Sequence, residues 1–399
     1  MMQLFLILSL LVLTPHASWA SEIVTRTTID LKVGTNAVMA IDVLRPLAGK
    51  VKALIVALPG SDAFGHDFDE GLPQQDGKPP SFMKQRIELF AKAGYATAIY
   101  SQRGLQRPSE CAKGGTVKEK IDFYGEHCYN KQVRSQVDLE TITADTRKVF
   151  AHLSTHPITK DMPVIALGLS EGSYHVARLI DLQKINPVGV VFIGGMFDSF
   201  AATIARQFRK EFYFEKFDIT FKVTGKEQIS FADVVTYADV NFWLGHPNYP
   251  PWGIGAAMGN IVITKEGMRK QKQLFEDSYQ QIFTNLSPGS PQQTLNGEGK
   301  GMVWPELWSG KYLEQSMRAN KSIIDQLKNY PHEVRFLFGA ADDLVRIPPV
   351  TACDNIQPKC KIMLVFDAGH QLEEKSGLLP ERSLNAILNA INEVAAPLK

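Results

Sequence analysis

From Glu22 to Pro46 the chain alternates: Ile23, Thr25, Thr27, Ile29 and Leu31 interleave with Val24, Arg26, Thr28, Asp30 and Lys32, which places the charges on one face. A period of two is the strand signature. After the turn residues Gly34-Thr35-Asn36 a second short run, Val38 to Leu44, makes an antiparallel edge the expectation. The rhythm then changes. Short, wholly apolar runs at Ala53 to Leu58, Tyr95 to Tyr100, Pro163 to Leu167, Val188 to Ile193, Val334 to Phe338 and Ile362 to Phe366 alternate with amphipathic stretches. A strand with no polar side is buried on both faces, so these runs predict an α/β fold: a mostly parallel sheet covered by helices on both faces.

Helical periodicity places helices at about Ser81 to Ala93, Val137 to Ser154, Glu171 to Lys184, Lys311 to Asn329 and Glu381 to Ala395. In the first, Phe82, Met83, Ile87, Phe90 and Ala91 recur at helical spacing, with Ser81 as N-cap and Gly94 just past the end. Between Ile193 and Val334 lies far more chain than a crossover needs. An inserted subdomain after the sixth strand is expected at residues 197–310, splitting the core into residues 21–196 and 311–399. The insertion is rich in rings, including Phe212, Tyr213, Phe214, Phe217 and Phe221, and four of the five tryptophans (Trp243, Trp252, Trp304, Trp308) fall in it. Most of these should form the insertion's own small core, with a few facing a pocket.

Composition narrows the function. With 43 Lys+Arg against 42 Asp+Glu the formal net charge is +1, so nothing marks a surface built to grip a phosphate backbone, and nucleic acid is excluded as an expected partner. The run Leu4 to Leu13 is too short to span a bilayer, Pro15 breaks it, and Ser18 and Ala20 are the small residues a signal peptidase requires. Residues 1–20 therefore predict a signal peptide and an exported, periplasmic or secreted protein. No later run is long enough for a membrane span. The four cysteines fall into two local pairs, Cys111 with Cys128 and Cys353 with Cys360. Three connectivities are formally open, and the local pairing is the one favoured for an oxidising compartment. No CxxC or paired His spacing accompanies them, so a metal site is not expected.

The sharpest chemical signal is Gly168-Leu169-Ser170-Glu171-Gly172, lying directly after the run Pro163 to Leu167 and before a helix. This is the strand, elbow and helix setting that GxSxG requires. The two glycines leave room for a tight turn that forces Ser170 into strained geometry and lifts its hydroxyl clear of the backbone, and the amide of Glu171, at the helix N-terminus, is placed to receive an oxyanion.

With this motif the chain resembles the α/β-hydrolase superfamily, over nearly all of the sequence after residue 20. The resemblance implies a Ser, then acid, then His order, the acid after a later strand and the His after the last. Gly339-Ala340-Ala341-Asp342-Asp343-Leu344-Val345 resembles the superfamily's acid loop, which makes Asp342 the acid and Asp343 the fallback. Of the nine histidines only His370, in Asp367-Ala368-Gly369-His370, follows Asp342, and it sits at the end of the last strand. His152, His156, His175 and His246 are expected to be ordinary surface or satisfied residues.

In the implied mechanism His370 takes the proton from Ser170, Asp342 fixes the imidazole tautomer, and water later cleaves the acyl-enzyme. Pro59-Gly60-Ser61-Asp62 occupies the place of the superfamily's His-Gly loop, so the Ser61 amide joins Glu171 as oxyanion donor; losing one such donor typically costs about 3 kcal/mol. Ser101-Gln102-Arg103-Gly104-Leu105 resembles a DxRGxG turn with Ser101 in place of Asp, and Arg103 is expected to be structural. His66 and Asp67 are expected in a solvated loop. The expectation is a serine hydrolase, without metal or organic cofactor, acting on a small-molecule ester, an amide or a short peptide. A capped aminopeptidase of the same superfamily and a catalytically silent binding protein on the same scaffold are the alternatives, the first marked by an acidic group placed to hold a substrate's free amine.

Overall fold

The structure is a computed structural model that describes residues 24–34, 37–60, 82–107, 111, 113, 123, 127–128, 130–237, 262–285, 310–342, 344–353, 359–374 and 379–398. The predicted export segment, Ser61, His66, Asp67, Asp343, His246 and the four tryptophans of the insertion lie outside the described residues.

The chain opens with strands β1 (Val24–Val33) and β2 (Ala37–Pro46), paired antiparallel with Ile29 opposite Ile41. The expected edge is there, and its charged face has a use. Asp42 of β2 is buried and accepts hydrogen bonds from Arg26 at 2.6 Å, Thr28 at 2.7 Å and Arg107 at 2.7 Å. Next come β3 (Leu54–Leu58), α1 (Phe82–Lys92), β4 (Ala96–Tyr100), α2 (Leu139–Leu153), β5 (Val164–Leu169), α3 (Gly172–Asp181) and β6 (Gly189–Ile193). Asp138 caps α2 by accepting from the Thr141 amide at 2.7 Å.

After β6 the chain leaves the sheet through α4 (Phe200–Phe208), α5 (Glu211–Thr224), the small strand β7 (Gln228–Ser230), α6 (Phe231–Tyr237), β8 (Val262–Thr264), α7 (Lys265–Asn285), α8 (Gly310–Arg318) and α9 (Ile323–Leu327). It returns as β9 (Glu333–Gly339) and β10 (Cys360–Val365) and ends in α10 (Glu381–Ala395). The eight long strands form one sheet in the order β1-β2-β4-β3-β5-β6-β9-β10, parallel from β4 to β10.

The wholly apolar strands follow from two cores. Leu54, Val56 and Leu58 point into a cluster with α2 and α3, through Leu139, Val149, Tyr174 and Val176, while Ile55 and Ala57 point into another with α1 and α10, through Ile87, Phe90, Ile387 and Ile391. Alternate residues face opposite sides, so a sheet sandwiched between helix layers needs apolar side chains at every position. Truncating one of these, for example Phe336→Ala, typically costs about 3–5 kcal/mol.

Within the insertion, Phe212, Tyr213, Phe214, Phe217 and Phe221 of α5 form a separate buried cluster with Ile229, Val234 and Ile263. Phe200 and Ile204 of α4 instead join the main core, so the insertion is tied to the sheet at its start. The single helix expected from Lys311 to Asn329 is two, α8 and α9. Between them the chain extends to pair Ser322 with Ser199, Ala319 accepts from the Ala201 amide at 3.1 Å, and Ser322 caps α9 through the Asp325 amide at 3.1 Å. Tertiary pairing here overrides a continuous helical period.

Cys111 is bonded to Cys128 and Cys353 to Cys360. No described helix is long and apolar enough to cross a membrane.

Candidate active site

Ser170 lies one residue past β5, half-buried, with φ at +49°. Such a left-handed backbone is unfavourable for a side-chain-bearing residue and persists only where its surroundings fix it. Here the Ser170 amide donates to the Ile193 carbonyl at 3.0 Å, and the Ser170 carbonyl accepts both the Ser173 amide at 3.0 Å and the Ser173 hydroxyl at 2.6 Å. The same Ser173 oxygen accepts from the Met196 amide at 3.0 Å, which joins the elbow to the chain leaving β6.

The glycines of the motif leave room for the turn, as the sequence led us to expect, and the strain falls on the central residue. Neither has a positive φ, and the strained turn is carried by Ser170 itself. They are required by close approach: a Cβ on Gly168 would lie 2.8 Å from the Ser173 backbone, and one on Gly172 would lie 2.6 Å from the Leu58 carbonyl oxygen and 2.7 Å from that of Pro59.

The close approach at Gly172 brings the end of β3 against Ser170. Gly60 packs on Ser170, since a Cβ there would be 3.1 Å from Ser170 Cβ and 3.7 Å from Oγ. Gly60 itself is held from behind by Gln102, whose Nε2 donates to the Gly60 carbonyl at 3.2 Å and whose Oε1 accepts from Arg134 at 3.2 Å. This support was not legible in the sequence, where Gln102 is one polar residue among several after β4. Its neighbour Arg103 forms a two-pronged pair with Asp145 of α2.

Glu171 opens α3 and its amide has no acceptor among the described residues. The side chain turns inward, 1% exposed, with Oε1 2.9 Å from His175 Nε2; His175 Nδ1 lies 2.9 Å from the Thr143 hydroxyl. His175 is thus a buried, satisfied histidine one turn along α3.

Asp342 and His370 follow the ends of β9 and β10. His370 Nδ1 is 2.9 Å from Asp342 Oδ2, and both residues are buried. Asp342 Oδ1 accepts the amides of Leu344 at 2.9 Å and Val345 at 3.2 Å, which orients the carboxylate. A carboxylate can only accept, so Nδ1 carries the proton and Nε2 presents a lone pair.

Glycine again sets the separation of the two loops. A Cβ on Gly339 would lie 2.2 Å from the carbonyl oxygens of Ala368 and Gly369, and backbone bonds from Ala340 to Val365 (2.8 Å) and from Ala341 to Ala368 (3.1 Å) hold the loops together. On the opposite side His370 packs on Gly194 (φ +53°), where a Cβ would be 2.3 Å from the His370 carbonyl oxygen and 2.9 Å from Nδ1 and Cε1. Gly194 follows Ile193, the residue that accepts the Ser170 amide, so Ser170 and His370 rest on consecutive residues at the end of β6. Nothing in the sequence around Gly194 signalled this.

No family model matches the chain, and no curated protein matches it in sequence. Among solved structures it is similar to a bromoperoxidase from Bacillus anthracis, at 13% identity over 92% of this chain and 100% of that one, with a TM-score of 0.44. It is also similar to the ferulic-acid-bound Est1E from Butyrivibrio proteoclasticus (10%, 91% and 99%, 0.46) and to carboxyl esterase 2 from Tuber melanosporum (13%, 96% and 89%, 0.45).

Proposed function

We propose that this chain, an α/β-hydrolase by fold, is an exported serine hydrolase that cleaves a carboxylic ester or related acyl bond through an acyl-enzyme on Ser170. The observation that carries the reading is the buried Asp342–His370 hydrogen bond of 2.9 Å, set at the same sheet end as a strained Ser170. That bond fixes the tautomer in which Nε2 can take the Ser170 proton as Oγ attacks the acyl carbon. The oxyanion that forms is received by the Glu171 amide, and by an amide of the loop after Gly60, where Ser61 is the candidate. The imidazolium then gives its proton to the leaving alcohol, and water, deprotonated by the same Nε2, releases the acid and restores Ser170.

An ester is preferred to an aminopeptidase substrate because the carboxylate beside the nucleophile, Glu171, is buried on His175 and so is not offered to a substrate's amine. Export is supported by the two disulfides, which persist in oxidising compartments. The test is labelling by a fluorophosphonate, followed by turnover of a panel of acyl esters and aminoacyl arylamides. Labelling at Ser170 with turnover of esters alone is expected; labelling elsewhere or none would overturn the reading, and turnover of arylamides alone would move it to the aminopeptidases.

A further inference from the structure

Gln371, the residue after His370, is held at both of its backbone groups by charged side chains that water does not reach. Its N–H donates to Glu373 Oε2 at 2.6 Å, and its carbonyl accepts from an Arg86 terminal nitrogen at 2.6 Å. Both terminal nitrogens of Arg86 also reach Gln371 Oε1 at 3.2 Å. Arg86 is 1% exposed on α1 and Glu373 is 0% exposed.

The remaining backbone groups of the turn are fixed as well. The Gly369 amide donates to the Glu373 carbonyl at 2.7 Å, the Leu372 amide to the Gly369 carbonyl at 3.0 Å, and the buried Ser383 hydroxyl to the Leu372 carbonyl at 2.7 Å. Burying two charges is costly, and a well-packed apolar pair would serve stability as well or better, so packing alone is a weak reason for this arrangement. Charge-assisted hydrogen bonds are short and directional, which suits a turn that must hold one ring in place. Glu373 Oε1 is moreover buried with no hydrogen-bond partner among the described residues.

We propose that Arg86 and Glu373 are positioning residues for His370, clamping the turn that keeps its ring on Asp342, with the Glu373 carboxylate favouring the imidazolium that forms as Ser170 attacks. The proposal rests on the hydrolase reading above. Glu373 lies three residues past His370 in the same hydrogen-bonded turn, where a charge on His370 favours its anion and that on Asp342 opposes it, while Arg86 engages Gln371 from α1. Burial pushes the Glu373 carboxyl up to about 7, so it changes charge in the range where a histidine base works.

The test uses the downfield proton resonance of His370 Nδ1–H together with the pH profile of fluorophosphonate inactivation. E373Q keeps an acceptor for the Gln371 amide but loses the charge. Without a neighbouring anion the imidazolium is less favoured, so the acidic limb of the profile should move down by about half a pH unit or more. On esters kcat should fall about tenfold or more with little change in KM, and R86M should lower kcat in the same way. In the wild-type protein, which needs no variant to fold, the downfield proton should show a second inflection as Glu373 ionises. A single inflection in the wild type, or a folded E373Q whose acidic limb and downfield proton are unmoved, would overturn the proposal and leave the hydrolase reading intact. A wild-type protein that ignores the fluorophosphonate while its downfield proton responds to E373Q would overturn the hydrolase reading and keep the clamp.

Discussion

Ser170 and His370 rest on consecutive residues at the end of β6, yet the chain shapes them by opposite means. What strains and seats Ser170 lies mostly within three positions of it: Gly168 and Gly172, which permit close approach, and Ser173, which takes its carbonyl. What seats His370 comes from far along the chain: Asp342 is 28 positions away, the Arg86 that grips the next residue is 285 positions from it, and Gly194 belongs to another strand end. A nucleophile elbow is a backbone conformation, and neighbouring residues dictate conformation. A ring such as that of His370 must be aimed, and aiming it takes walls on several sides.

The comparison can be broken most severely at the nucleophile. Ser170→Ala should abolish fluorophosphonate labelling and lower turnover by about a millionfold, with circular dichroism unchanged, because a half-buried hydroxyl contributes little packing. Residual labelling of the variant would remove Ser170 from the chemistry. On the base side Asp342→Asn should cost about ten thousandfold in kcat, since an amide can stabilise the wrong tautomer of His370. If the neighbouring Asp343→Asn proves the damaging change, the acid moves by one residue.

Smaller effects sharpen the contrast. Cys353 and Cys360 close a short loop at the start of β10, between the acid loop and the base. Replacing both with serine should cost about 2–3 kcal/mol in the entropic account. Activity should be lost at temperatures below global unfolding, because the two loops then loosen relative to each other. Activity that tracks the melting curve without such a gap would show that the bridge does not support the site. On the nucleophile side Gly172→Ala forces a Cβ into two carbonyl oxygens and should cost about 1–3 kcal/mol, read by denaturant unfolding.

The smallest effect is one of sign. The Glu373 carboxyl is raised by burial from 4.5 to about 7, so the folded protein keeps a proton that the unfolded chain releases in between. The contribution of this group is therefore fully present below about pH 4.5 and is lost as pH rises through about 7. Relative to E373Q, the wild type should lose on the order of 1–3 kcal/mol of stability across that window. A flat difference between the two proteins would place Glu373 outside the buried turn.

The strands and most of the helices were written in the sequence because burial on two faces imposes an apolar residue at every strand position, as in Leu54–Leu58, and a helical period on the segments between. The motif around Ser170 was legible for the same local reason. Its glycines leave room for a turn strained at Ser170, as their spacing implies, but which atoms fill that room, the Leu58 and Pro59 carbonyls among them, depends on where β3 ends. Lys311 to Asn329 kept a helical period that the pairing of Ser322 with Ser199 interrupts. Gly194 behind His370, Gln102 behind the Gly60 carbonyl, and the grip of Arg86 and Glu373 on Gln371 carry no local pattern at all. They exist only once the order β3-β5-β6-β9-β10 has brought five strand ends to one place. Periodicity and backbone preference act between neighbours along the chain and can be read from it in order. The contacts that aim the His370 ring act between neighbours in space, and only the folded sheet decides which residues those are.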